Sequence, residues 1–126
     1  MGGMAKFLLA CGALAGFIGV GLGAFGAHAL KARLSPELMG TYQTAVQYQF
    51  WHALGLGLIG LLLFHVPTSS VLKWAGVLMA LGIVLFSGSL YALIFSGFRG
   101  FGMVTPIGGI CWLVAWGLLF WAVVRV

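Results

Sequence analysis

Apolar residues in this chain gather into four long runs, approximately residues 7–30, 42–65, 71–95 and 104–124, separated by short stretches where charge, proline or serine collects. A hydrocarbon core of roughly 30 Å is crossed by ~20 helical residues, so each run is long enough to span a bilayer. The pattern predicts an all-α fold: an integral membrane bundle of four transmembrane helices, occupying residues 1–126 as one domain.

Local signals place the helix ends. Leu34-Ser35-Pro36-Glu37 is a strong start, with Ser35 as N-cap, Pro36 at the first helical position and Glu37 against the positive end of the dipole. Leu34 and Met39 are placed to staple that cap. No proline follows until Pro67, and one helix from Pro36 to His65 would be ~45 Å long. That exceeds an upright span, so residues 36–41 are expected at the interface, and Thr41, Tyr42, Gln43, Thr44 and Gln47 at or beyond the headgroups. Val66 to Ser70 forms a turn, and Ser96 to Gly102 a glycine-rich hairpin with Phe98 and Phe101 dipping into the interface. Thr105 is the expected cap of the fourth span, with Pro106 at its first position.

Within the first run, Gly12, Gly16, Gly19, Gly23 and Gly26 are spaced 4, 3, 4 and 3. That 3.5-residue period lines them on one stripe, the seam of a left-handed helix pair, and permits close backbone approach. The stripe is expected to touch protein rather than lipid.

Composition sharpens the membrane reading. Glu37 is the sole acidic residue among 126, and 63% of positions are apolar, too little charge for a soluble domain of this size. The net charge of +5 comes from six cations scattered singly near the ends of runs, which makes no nucleic-acid patch. Lys6, Lys73 and Arg125 fall on one side and Lys31, Arg33 and Arg99 on the other, a tie that leaves orientation open. Ala27-His28-Ala29 imitates a signal-peptidase site, but the preceding apolar stretch is longer than an ordinary h-region, so an uncleaved first span is expected. Cys11 and Cys111 open spans that enter from opposite faces, and are read as packing residues rather than a redox pair.

The polar residues are one-sided. Threading the spans in alternation puts His28, Gln47, Tyr48, His52, Ser87, Ser89, Tyr91 and Thr105 in the membrane half that faces the first and third connections. Thr44, Tyr48 and His52 recur every four residues and share a helix face with Gly55. Such a stripe can line a polar pocket, or it can tie helices together through hydrogen bonds of ~1 kcal/mol or less apiece. Two histidines on neighbouring helices also raise a haem or quinone redox reading through His28 and His52. Neither has a carboxylate or cysteine cluster beside it, so no metal ligand set and no cofactor is predicted. No nucleophile–base–acid set, phosphate loop or dinucleotide fingerprint occurs.

Four segments, Gly23-Ala24-Phe25-Gly26-Ala27-His28-Ala29-Leu30, Tyr48-Gln49-Phe50-Trp51-His52-Ala53-Leu54, Phe86-Ser87-Gly88-Ser89-Leu90-Tyr91 and Thr105-Pro106-Ile107-Gly108-Gly109, resemble the bacterial family known as domain of unknown function 423, which is related to eukaryotic transmembrane protein 256. The resemblance implies a four-span inner-membrane protein, supplies no reaction, and suggests that His28, Tyr48, His52, Ser87, Ser89, Tyr91, Thr105 and Pro106 belong to one site.

The expectation is therefore a multi-pass membrane protein, non-enzymatic, with a polar inter-helix pocket near one surface that binds or passes a small molecule, lipid or ion. The competing expectation is a structural or assembly protein whose polar end only docks helices. Membrane lipid and a second copy of the chain are the expected partners, and nucleic acid is not.

Overall fold

A computed structural model describes residues 2–125. Four apolar helical spans, Gly3–Leu30, Pro36–His65, Ser70–Ser96 and Arg99–Arg125, are each long enough to cross a bilayer. The first is α1 (Gly3–Phe25) continued by a π-helical turn at Gly26–Leu30, and the second is α2 (Pro36–His65). The third comprises α3 (Ser70–Gly82), a π-helical turn at Ile83–Ser87 and α4 (Gly88–Ser96). A 3₁₀ turn, Arg99–Met103, leads into α5 (Thr105–Arg125), the fourth. No strand occurs among the described residues.

The ends follow local chemistry. The Ser35 hydroxyl accepts from the Leu38 amide at 3.2 Å, and Ser69 caps α3 by accepting from Leu72 at the same distance. Gly97 closes the third span with φ of 75°, a left-handed conformation that a Cβ disfavours. Thr105 differs from expectation. Its hydroxyl pairs with that of Ser89 on the third span, and the amides of Ile107 and Gly108 bond to the Val104 carbonyl.

Packing pairs the first span with the second and the third with the fourth, with α2 bridging the two pairs. Glycine sets the first pair. An added Cβ at Gly12 would stand 2.9 Å from the Ala53 carbonyl oxygen, and one at Gly60 would stand 2.8 Å from Leu9 Cγ. Gly19 faces the Phe50 ring, Gly23 faces Val46 and Gly26 faces the Tyr42 ring. Gly16 departs from the stripe's expected contact: nothing lies within 4 Å of its Cβ position. The four-residue step from Gly12 overshoots a full turn by about 40°, which sets Gly16 at the edge of the stripe.

Two apolar clusters result. The larger gathers Leu8, Leu56, Ile59, Met79, Trp112 and Leu119, where the first span touches the third through Leu8 and Gly76. The smaller joins Leu30, Tyr42 and Ile94 near the first and third connections. Tyr42 is 1% exposed, so it is buried against protein rather than sharing a solvated turn with Gln43 and Gln47. Among buried residues, the polar ones are Gln49, His52, Ser87 and Ser89, and those on α2 follow Tyr42 and precede Leu56.

Candidate functional site

The buried stripe of α2 runs Tyr42, Ala45, Gln49, His52, Ala53 and Leu56, at the three- and four-residue spacing of one helix face. A polar group on that face must find a partner within the protein, because hydrocarbon offers none. Gln49 is 3% exposed and donates from Nε2 to the Ala15 carbonyl of the first span at 2.7 Å. A carbonyl can only accept, which fixes the amide and turns Oε1 toward the third span. There Tyr91 donates its hydroxyl to Oε1 at 2.7 Å. Tyr42 likewise donates to the Leu22 carbonyl, with its ring edge-on to Tyr91 at 5.8 Å.

The π-helical turn in the third span brings another donor to α2. Ser87, fully buried at 0% exposure, donates to the Ala45 carbonyl at 2.8 Å. Gly108 packs against the backbone of Leu85 and Phe86, where a Cβ would collide, so the fourth span lies directly behind this turn. Ser89 donates to Phe86 at 2.9 Å as well as meeting Thr105.

His52 belongs to a different constellation. Its Nδ1 lies 2.7 Å from the Tyr48 carbonyl, one turn back on the same helix. The carbonyl only accepts, so Nδ1 carries the proton and a neutral ring keeps its lone pair on Nε2. The imidazole stacks on Trp112, with centroids 3.6 Å apart and planes inclined by 6°. It is 6% exposed.

Two recesses flank these groups. A cleft of about 360 Å³ opens between the first and third spans, walled by Leu14, Ile18, Ile83 and Val84 and floored by Gln49 and Tyr91. A groove of about 400 Å³ lies between α2 and the fourth span, with His52, Tyr48, Phe86, Trp112 and Trp116 along it.

The residues expected to share one site therefore divide. Tyr48 and His52 border the groove, Tyr91 floors the cleft, and Ser87, Ser89 and Thr105 bind helix to helix. His28 is exposed and joins neither recess, and Gln47, also exposed, lines a separate hollow with Tyr42 and Gln43. His28 sits in the π-helical turn at the connection, whereas His52 lies 16 residues beyond Pro36, about 24 Å along α2. The two are not placed to ligate one haem iron from opposite faces. Among the described residues, no group of three or more His, Cys, Asp or Glu converges to hold a metal ion. Cys11 and Cys111 are both free.

Gln49, Tyr42 and Trp112 are the polar-headed residues missed as participants. Spacing by exactly four from Thr44 to Tyr48 and His52 drifts off the buried face, and Thr44 instead bonds to its own helix at Gly40. Starting from His52 and stepping by three and four back to Gln49 and Ala45 recovers it.

Apolar helices of spanning length, joined by short connections and pinned by hydrogen bonds inside the hydrocarbon, define a small multi-pass protein of the cell membrane. Residues 22–109 match the family model described as protein of unknown function (DUF423), and the chain belongs to that family. It is 45% identical over 114 residues to a UPF0382 membrane protein of Staphylococcus haemolyticus, covering 90% of this chain and 92% of that one. It is 42% identical over 121 residues to the UPF0382 inner membrane protein YgdD of Escherichia coli K12, covering 95% and 91%. No solved structure matches the chain.

Proposed function

We propose that this protein is a non-enzymatic membrane component that holds a lipid in the cleft between its first and third spans, against Gln49 and Tyr91. The observation that carries the proposal is the polar floor of an otherwise apolar recess. The first span meets the third at Leu8 and diverges beyond it, and α2 fills the gap with an amide and a phenol. Gln49 spends one amide hydrogen on Ala15, and the Tyr91 oxygen donates to Oε1. A second amide hydrogen and the phenolic lone pairs remain for an ester or hydroxyl oxygen. The recess opens sideways between helices, which suits an occupant arriving from the bilayer better than one arriving from water.

The test uses Gly88, which borders the cleft and whose Cβ position has only the Ile83 carbonyl, at 4.0 Å, nearby. Gly88→Leu would extend a side chain into the recess from a position with room for its Cβ. Native mass spectrometry of wild-type protein released from mild detergent should retain one bound lipid, and Gly88→Leu should lose it with helicity unchanged. Equal lipid retention by both proteins would refute the proposal.

A second reading is favoured by the destination of the polar side chains. Tyr42, Gln49, Ser87 and Trp112 each donate to a backbone carbonyl on another span. In a purely structural protein those bonds would be the whole purpose of the polar layer. Gln49→Leu separates the two: lipid loss from an intact bundle supports the cleft, and collapse of the bundle supports docking.

A further inference from the structure

We infer that the groove beside His52 is a second binding site, distinct from the lipid cleft, for a planar aromatic molecule that donates a phenolic hydroxyl to His52 Nε2. The Nδ1 proton is committed to the Tyr48 carbonyl, and Nε2 makes no hydrogen bond among the described residues. No sealed side-chain nitrogen or oxygen lacks a partner among those residues, so Nε2 retains an accessible edge, and the recess that His52 borders is this groove. A buried imidazole acceptor with an open edge inside hydrocarbon is an unpaired polar group, and a donor that reached it would recover a hydrogen bond at full value.

The walls specify what carries that donor. His52 and Trp112 are nearly coplanar in orientation, and the Tyr48 ring lies within 16° of the indole plane at 6.0 Å. Trp116 presents an edge to His52 at 5.9 Å. Flat faces set parallel favour a flat ligand through offset stacking. The adjacent wall is Gly109, where a Cβ would find only Phe86 Cδ2, at 4.0 Å, so the backbone leaves room for a ring. Along the outer rim, Ile110 and Leu113 are exposed on the lipid-facing side of α5. With His52 about 24 Å along α2 from its start, the opening faces hydrocarbon, and the ligand is one dissolved in the membrane. An aliphatic alcohol would supply the donor without the stack, and a fully alkylated arene the stack without the donor. A phenol supplies both.

The test compares 2,3,5-trimethylphenol with its methyl ether, using full-length protein in lipid nanodiscs. Tryptophan quenching reports occupancy, and the ¹⁵N resonance of the His52 imidazole reports the hydrogen bond. The phenol should quench saturably and shift Nε2, while the ether should bind about tenfold more weakly for want of one buried hydrogen bond. His52→Phe keeps a flat ring over Trp112 and should reduce the phenol to the ether's affinity. Gly109→Leu fills the groove from its α5 wall, without altering His52 or Trp112, and should abolish saturable binding of both, with circular dichroism unchanged. Equal affinity of phenol and ether for the wild type, saturable quenching with Nε2 unmoved, or full binding by Gly109→Leu would each overturn the assignment. Absence of saturable quenching in the wild type would overturn it too. Because none of these measurements reads lipid retention in the cleft, the two proposals fail independently.

Discussion

Trp112 of the fourth span packs its pyrrole edge against the third at Gly82, and its indole N–H donates to the Met79 carbonyl at 3.1 Å. The absent side chain at Gly82 makes this possible, since a Cβ there would overlap the indole. The same ring carries His52 on its face, so one glycine supports both the joint between the third and fourth spans and the stack beside the groove.

Gly82→Ala should therefore destabilise the bundle by about 1–3 kcal/mol, the usual penalty for forcing an extra methyl group into a packed core. Denaturation by a rising fraction of sodium dodecyl sulfate in mixed micelles would measure it. Tryptophan emission should shift as well, because an added methyl at Gly82 would push the indole away from the Met79 carbonyl.

Gly12 and Gly16 form a matched pair of the same residue type in the same stripe. At Gly12 an added methyl would meet the Ala53 carbonyl oxygen at 2.9 Å and the Gly57 amide nitrogen at 3.2 Å. These are backbone atoms of a helix, which cannot swing aside as a side-chain tip can. Gly12→Ala should lower stability by about 1–3 kcal/mol. Gly16→Ala meets nothing within 4 Å and replaces a weak helix former by a strong one, a gain of up to about 1 kcal/mol. Opposite signs in one unfolding assay are the expected result. Equal losses would mean that the first span packs on α2 through a different face.

Ser87 tests how much a sealed hydroxyl contributes. Its partner, the Ala45 carbonyl, belongs to the interior of α2, so removing the hydroxyl strands no acceptor. Ser87→Ala should cost only about 0.6 kcal/mol, the average for such bonds between membrane helices. Ser87→Leu should cost several times more, because the residue has no exposed surface and Gly108 holds the fourth span against this turn.

The spans were legible because lipid imposes a length and a composition that few other environments share. Helix starts at Ser35-Pro36 and the seam through Gly12, Gly19, Gly23 and Gly26 follow from local chemistry and spacing, and each has its neighbour on α2 or its cap in place. The site was less legible. Depth along a helix can be counted from sequence, but azimuth cannot be fixed without knowing where the neighbouring helices stand. Gln47 and Gln49 differ by two residues and a change of face: one is exposed, the other holds the first and third spans. The π-helical turn at Ile83–Ser87 adds a further rotation that no spacing rule anticipates, and it turns Ser87 toward α2. His28 illustrates the converse error, since proximity in depth to the connection says nothing about whether a side chain faces protein.

Gln49 and Tyr91 allow that distinction to be measured. Gln49→Leu removes two hydrogen bonds and leaves the Tyr91 hydroxyl without its acceptor, whereas Tyr91→Phe removes only the bond to Oε1. If the two side chains act through their mutual bond, the double variant should lose less than the sum of the singles. The coupling energy expected between hydrogen-bonded side chains of membrane helices is about 0.6 kcal/mol and at most about 1.7 kcal/mol. Gln47→Leu, on the exposed face two residues away, should leave the unfolding curve in place. Tyr91 also touches Tyr42 through its ring, so part of any loss on wholesale truncation would come from packing. The Phe substitution keeps that ring and isolates the hydroxyl. A coupling indistinguishable from zero would mean that Gln49 is held by Ala15 alone, leaving Ser87 and the Leu8–Gly76 contact to hold the third span.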